Sequence, residues 1–156
     1  MPESRPRHRH TILIPLDGSR LAERVLRYLP DLGRPARGVF LLQVIGPGHA
    51  GILVRGDDAA AYRSVIEERR RAERYLQVIR RRIARAGIRS RGIVRTGDPV
   101  TEIVRCVRVE RADLILMSTH GRRGLRRMVL GSVAENVLRR AGVPIFLVPA
   151  RRRRAS

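Results

Sequence analysis

The chain has 156 residues, 43% of them hydrophobic, and carries 34 basic against 14 acidic side chains for a net charge of +20. That length fits one domain, since domains usually run about 100–200 residues, and no apolar run approaches the roughly 20 residues that cross a bilayer. A single cysteine, Cys106, rules out an internal disulfide framework or a cysteine-cluster zinc site, and the amino terminus lacks the apolar stretch of a secretory signal, so the expected compartment is the cytoplasm, with no membrane partner.

Residues 1–10 are polar and rich in Arg and His, and are expected to be a disordered basic arm. His8 and His10 offer at most a weak metal site there. Thr11 to Leu16 is a continuous apolar run, the mark of a strand buried on both faces, as in a parallel sheet. Asp17-Gly18-Ser19 breaks it. Ser19 is placed to cap a helix with apolar residues at Leu21, Val25, Leu26 and Leu29, which Pro30 and Gly33 should stop. Gly38 to Ile45 reads as a second buried strand, followed by a glycine-rich loop that holds His49.

From about Asp57 to Ala86 apolar residues recur at spacings of three and four, which predicts a helix, with Gly87 ending it. Arg89 to Arg95 reads as a short strand; its arginines suit an edge. Gly97-Asp98-Pro99 has the form of a helix start, an Asp cap followed by Pro in the first turn. Val100, Ile103, Val104 and Val107 give that helix a buried face. Asp113 to Met117 is a fourth strand, Ser118 to Leu130 a loop rich in Gly and Arg, and Gly131-Ser132 opens a helix that runs to Gly142. Val143 to Val148 is a fifth strand, and residues 150–156 form a basic tail.

Strands and amphipathic helices thus alternate, which implies a single α/β domain over residues 11–149 with a doubly wound parallel sheet. In such sheets ligands sit beyond the carboxyl ends of the strands, where the strand order reverses. The segments after strands one, two and four therefore hold the candidate site. After strand four, Gly121 and Gly124 would let a backbone approach a ligand closely. Gly131-Ser132 presents a helix amino terminus, with free N–H groups and the positive end of a dipole suited to phosphate. Arg122 and its neighbouring arginines would add cationic help. Ser132-Val-Ala-Glu135 reads equally as a capping box, in which Ser and Glu satisfy backbone donors. Asp17, at the tip of strand one, could meet a ribose hydroxyl or a divalent cation, or could simply hold an Asp-Gly turn. His120 lies in the same loop with no acid or base partner legible beside it.

Several enzyme signatures are missing. With no lysine in the chain a standard P-loop cannot exist. Neither a Gly-x-Ser-x-Gly elbow nor a dinucleotide fingerprint occurs. The arginines make non-specific, salt-sensitive contact with nucleic acid an expectation, yet they are spread along the sequence, and aromatics make up only 3% of it, too few for a base-stacking platform.

Ile12 to Ser19, Leu41 to Ile45, Gly97 to Pro99, Asp113 to Leu125, Leu130 to Leu138 and Val143 to Val148 together resemble the universal stress protein family of the ATP-binding type. The resemblance covers about residues 10–149. It implies a five-stranded sheet of order 3-2-1-4-5, of the adenine nucleotide alpha hydrolase-like kind. It implies ATP in the cleft, held by Gly-x-x-Gly, nine residues, then Gly-Ser/Thr. Gly121, Gly131 and Ser132 match that pattern and would hold phosphates, with Val133 just behind. Ser118 stands where the pattern has its first glycine. Pro15 would lie beside the nucleotide, Val44 would meet adenine through its backbone, and Asp17 would face the phosphates or a nucleotide-bound Mg. The resemblance further implies a homodimer through the last strand, Ile145 to Val148, and a stress-response regulator with little or no hydrolysis. A slow ATPase and an arginine-driven nucleic-acid protein are the alternatives.

Overall fold

The computed structural model describes residues 10–33, 36–46, 59–119 and 131–149. Five parallel strands form one sheet: β1 (Thr11–Pro15), β2 (Gly38–Ile45), β3 (Ser90–Thr96), β4 (Leu114–Thr119) and β5 (Ile145–Pro149). Their spatial order is β3-β2-β1-β4-β5, as expected. The chain steps outward from β1 to β3 and then crosses to the other side to lay down β4 and β5. The reversal falls between β1 and β4, and this is where a crevice must open.

β1 is central because it is the most uniformly apolar strand: Ile12, Leu13 and Ile14 have no exposed surface. Side chains alternate across a strand, so its residues feed two cores. Ile12 and Ile14, with Leu41 and Leu116, pack under the first two helical segments and the long third one. Leu13, with Leu42, Ile115 and Met117, packs under the last two helices. Asp113 ties the start of β1 to β4: its Oδ2 accepts the Thr11 N–H at 2.9 Å, and its own N–H donates to the Thr11 carbonyl at 2.8 Å.

The helices are α1 (Leu29–Gly33), α2 (Ala59–Ala84), α3 (Pro99–Val109) and α4 (Ser132–Arg140). α3 begins as its sequence predicts: Asp98 Oδ1 accepts from the Thr101 N–H at 2.9 Å and from its hydroxyl at 2.7 Å, with Pro99 opening the helix. Those bonds, the hydroxyl's first, hold the Asp98 carboxyl below the usual carboxylate range. β3 is an edge strand, and Arg91 is exposed on it.

Two expectations are corrected. The segment after β1 is not one α-helix: Ala22–Tyr28 is a 3-10 helix, and α1 follows it directly. Pro30 does not stop the helix but sits at the second position of α1. A proline near the start of a helical segment is tolerated because its fixed φ suits the helix. No helix among the described residues is long and apolar enough to cross a membrane. Residues 1–9 of the arm, the Gly-rich loop with His49 and the tail lie outside the described residues.

Candidate functional site

Pairing between β1 and β4 runs only from Ile12 opposite Leu114 to Leu13 opposite Ile115. Pro15 has no N–H to offer a ladder, and beyond that pair the two strands part. A cleft of about 470 Å³ fills the space at their carboxyl ends, within the roughly 300–1,000 Å³ usual for small-molecule sites.

The turn after β1 is built locally. Asp17 Oδ1 accepts the Ser19 N–H at 2.9 Å, which closes a tight turn around Gly18. Gly18 sits at φ +82°, a region that a side chain would disfavour. Ser19 Oγ then accepts the Ala22 N–H at 3.0 Å and starts the 3-10 helix. Asp17 therefore holds the turn and also lines the cleft. The two roles weighed for it from sequence are compatible.

The far wall is the start of α4. Gly131 is the cap residue, and no side chain of the described residues caps it. This decides the double reading of Ser132. With Gly131 in the cap position, Ser132 is the first helical residue and Glu135 falls one place beyond the position a capping box requires. Glu135 instead pairs with Arg139 at 3.0 Å along the exposed face. The box, one of the two readings, does not form, and the first turn of α4 lines the cleft with no side-chain cap among the described residues.

Of the residues singled out by sequence, Pro15, Asp17, Val44, Ser118, Gly131, Ser132 and Val133 all line this one cleft. Ser118, only 7% exposed, lies near the end of β4. His120, Gly121, Arg122 and Gly124 lie outside the described residues. Sequence reasoning missed the apolar lining: Leu42, Met117, Pro99 and Ile103 also border the cleft. The last two come from α3, after strand three, a strand end the topological argument did not inspect. Ile103 was legible as apolar but reads as ordinary core from its periodicity.

Among the described lining residues Asp17 is the only ionisable side chain. No group of three or more His, Cys, Asp or Glu suited to a metal occurs among the described residues. The field of Asp17 reaches Tyr75 on α2. Burial raises that phenol first, and the carboxylates of Glu23 and then Asp17 raise it further, so it stays protonated. Cys106 is buried on the α3 side, where desolvation and then Glu110 push its thiol up to about 11. Cys106 does not line the cleft. The arrangement is thus a mostly apolar trough with one carboxylate at one side and a helix amino terminus at the other. It suits binding of a ligand that is flat and apolar at one end and anionic at the other.

Comparison with known proteins agrees with this architecture. Universal stress protein MJ0531 of Methanocaldococcus jannaschii is 29% identical over 139 residues, covering 88% of this chain and 80% of that protein. Universal stress protein MJ0577 of the same organism is 32% identical over 77 residues, an alignment that spans about half of each chain, 49% and 48%. The solved structure of MJ0577 superposes with a TM-score of 0.77 at 27% identity, covering 92% of this chain and 97% of that one. A universal stress protein solved in complex with cAMP has a TM-score of 0.62 at 22% identity and shares the fold, covering 90% of this chain and 97% of that one. The sequence profile of the universal stress protein family matches residues 8–149. On that match, with its five-stranded sheet in the same order, the chain belongs to the universal stress protein family.

Proposed function

We propose that the protein binds an adenine nucleotide, ATP with its Mg, in the β1–β4 cleft and works as a cytoplasmic, dimeric, nucleotide-dependent regulator with little or no hydrolysis. The observation that carries this reading is the uncapped amino terminus of α4, opening on an apolar trough at the point where the strand order reverses. Val44, Leu42, Ile103 and Met117 would flank the base. Gly131, Ser132 and Val133 would meet phosphate through their N–H groups, and His120, Gly121, Arg122 and Gly124 are proposed as further contacts to the nucleotide. Ser118 and Pro15 would border the sugar.

The residues present fit the metal only as a guest. One carboxylate, Asp17, lines the cleft, so a cation would arrive on the phosphates, neutralise part of their charge and be shared with Asp17. Among the described lining residues Asp17 is the one side chain that could take a proton from an attacking water. The fold itself holds adenine nucleotides elsewhere, in the cAMP complex and in an Arabidopsis thaliana relative solved with AMP bound. At 22% and 16% identity those proteins share the fold alone, so the assignment to this chain rests on the cleft.

Native mass spectrometry of the purified protein, followed by calorimetric titration with ATP with and without Mg, tests the reading. An adenine nucleotide carried through purification, or saturable binding of ATP, is the expected result. Failure of ATP, ADP, AMP and cAMP alike to bind the apo protein would sink it.

A further inference from the structure

Away from the nucleotide cleft, a groove of about 440 Å³ runs between the 3-10 helix and the carboxyl end of α2. Arg20, Arg24, Arg27 and Arg82 line it, with one acid, Glu23. Glu23 is already committed: its Oε2 accepts from Arg82 Nη1 at 2.8 Å, with only 20% of the Glu23 side chain exposed against 50% for Arg82. Arg27 is held in place rather than neutralised. Its Nε donates to the Arg24 carbonyl at 3.2 Å, and its guanidinium lies 5.8 Å from the centre of the Tyr28 ring. Among the described lining residues four arginines stand against this one glutamate.

Leu26, Ile83 and Ile88, core side chains 8%, 5% and 3% exposed, form the floor, with Leu29 fully buried beneath it. Two of the four guanidinium groups are therefore oriented by contacts within the protein, around an aliphatic seat. Guanidinium forks match carboxylates in planar, bidentate geometry. The floor is aliphatic, so it offers no platform on which a nucleic-acid base could stack. Tyr28, beside Arg27, faces Phe146 at 5.4 Å.

We propose that this groove docks an acidic segment of a partner protein, its carboxylates meeting the arginines while one aliphatic side chain rests on the floor. The groove and the nucleotide cleft share no lining residue, although both are bordered by the 3-10 helix: Ala22 lines the cleft, Glu23 and Arg24 the groove. The proposal therefore stands or falls separately from the nucleotide reading.

The test uses the full chain and a fluorescein-labelled peptide, Asp-Glu-Glu-Leu-Asp-Glu-Glu, followed by fluorescence anisotropy at low salt. Arg20→Glu combined with Arg27→Glu should weaken binding at least about tenfold. The matched pair Arg105→Glu with Arg108→Glu, on α3, should leave binding within about twofold of wild type. Replacing the peptide's Leu by Gly should also weaken it. Melting curves confirm that each variant folds, and Arg20→Ala alone serves if the double reversal does not. Equal loss in both double variants, indifference to the Leu-to-Gly change, or equal competition by an oligothymidylate of the same charge would mean a general polyanion surface and overturn the proposal.

Discussion

Gly131 sits at φ −59° and ψ 149°, a backbone conformation open to any residue. Its value is therefore the space beside it, not its conformational freedom. A valine there should cost at most about 1 kcal/mol of capping preference while filling the volume proposed for phosphate. Gly131→Val is expected to keep its circular dichroism spectrum and to lose ATP affinity at least about tenfold, measured by calorimetry; undiminished affinity would contradict the phosphate placement. Asp98 offers a pH test. Its folded-state carboxyl is held below the ordinary value by the Thr101 hydroxyl and N–H. A depressed carboxyl stabilises the fold above its unfolded value, about 4, and that contribution fades as pH falls through the folded value. The melting temperature of Asp98→Ala should thus lie below wild type at pH 7, and the gap should close on acidification. A gap that is constant with pH would mean the carboxylate charge is not involved. Asp98 was legible from sequence because capping is chemistry among near neighbours. Ser132 was not, because its two readings differ by one position in where the helix begins, and the chain's path into α4 decides that.

At the level of elements, strand positions were read almost to the residue wherever both faces are buried: β2 spans Gly38–Ile45, the range its hydrophobicity predicts. β1 and β4 are similarly apolar, and their ends moved by only one or two positions. The 3-10 helix was not foreseen. Its apolar residues Val25, Leu26 and Leu29 do fall at the expected spacing, but Ser19 and the Asp17 turn start the coil close above the sheet. A tighter helix of lesser diameter fits there, a matter of packing that periodicity does not report. Because β1 feeds both cores, truncation within it should be felt across the molecule. Leu13→Ala is predicted to destabilise the protein by about 2–5 kcal/mol, read as a lower urea midpoint. A change under about 1 kcal/mol would show that the α3–α4 side can collapse around the gap.

For the molecule as a whole, β5 leaves one edge of the sheet without a strand partner among the described residues. Phe146 on it is 37% exposed and packs against Tyr28. Open apolar edges invite pairing, which supports the proposed dimer through Ile145 to Val148. Sedimentation should find a dimer, and Phe146→Glu should shift it toward monomer at micromolar concentration. A monomeric wild type would remove the dimer from the account. Sequence alone determined the alternation of strands and helices, the parallel sheet and the caps at Ser19 and Asp98, since each follows from periodicity or from bonds between near neighbours, while the strand order with its reversal between β1 and β4 came from the family resemblance. Topology pointed to Asp17 and Gly131, residues far apart in the chain, because strand and helix ends converge there, and the family resemblance added Pro15, Val44 and Ser118. Tertiary structure alone decided that Pro99 and Ile103 of α3 join their cleft, that Gly131 and not Ser132 caps α4, and that arginines scattered over more than sixty positions meet around one aliphatic floor. Those facts depend on how helices seat against the sheet, and close packing sets that between surfaces that are distant in sequence.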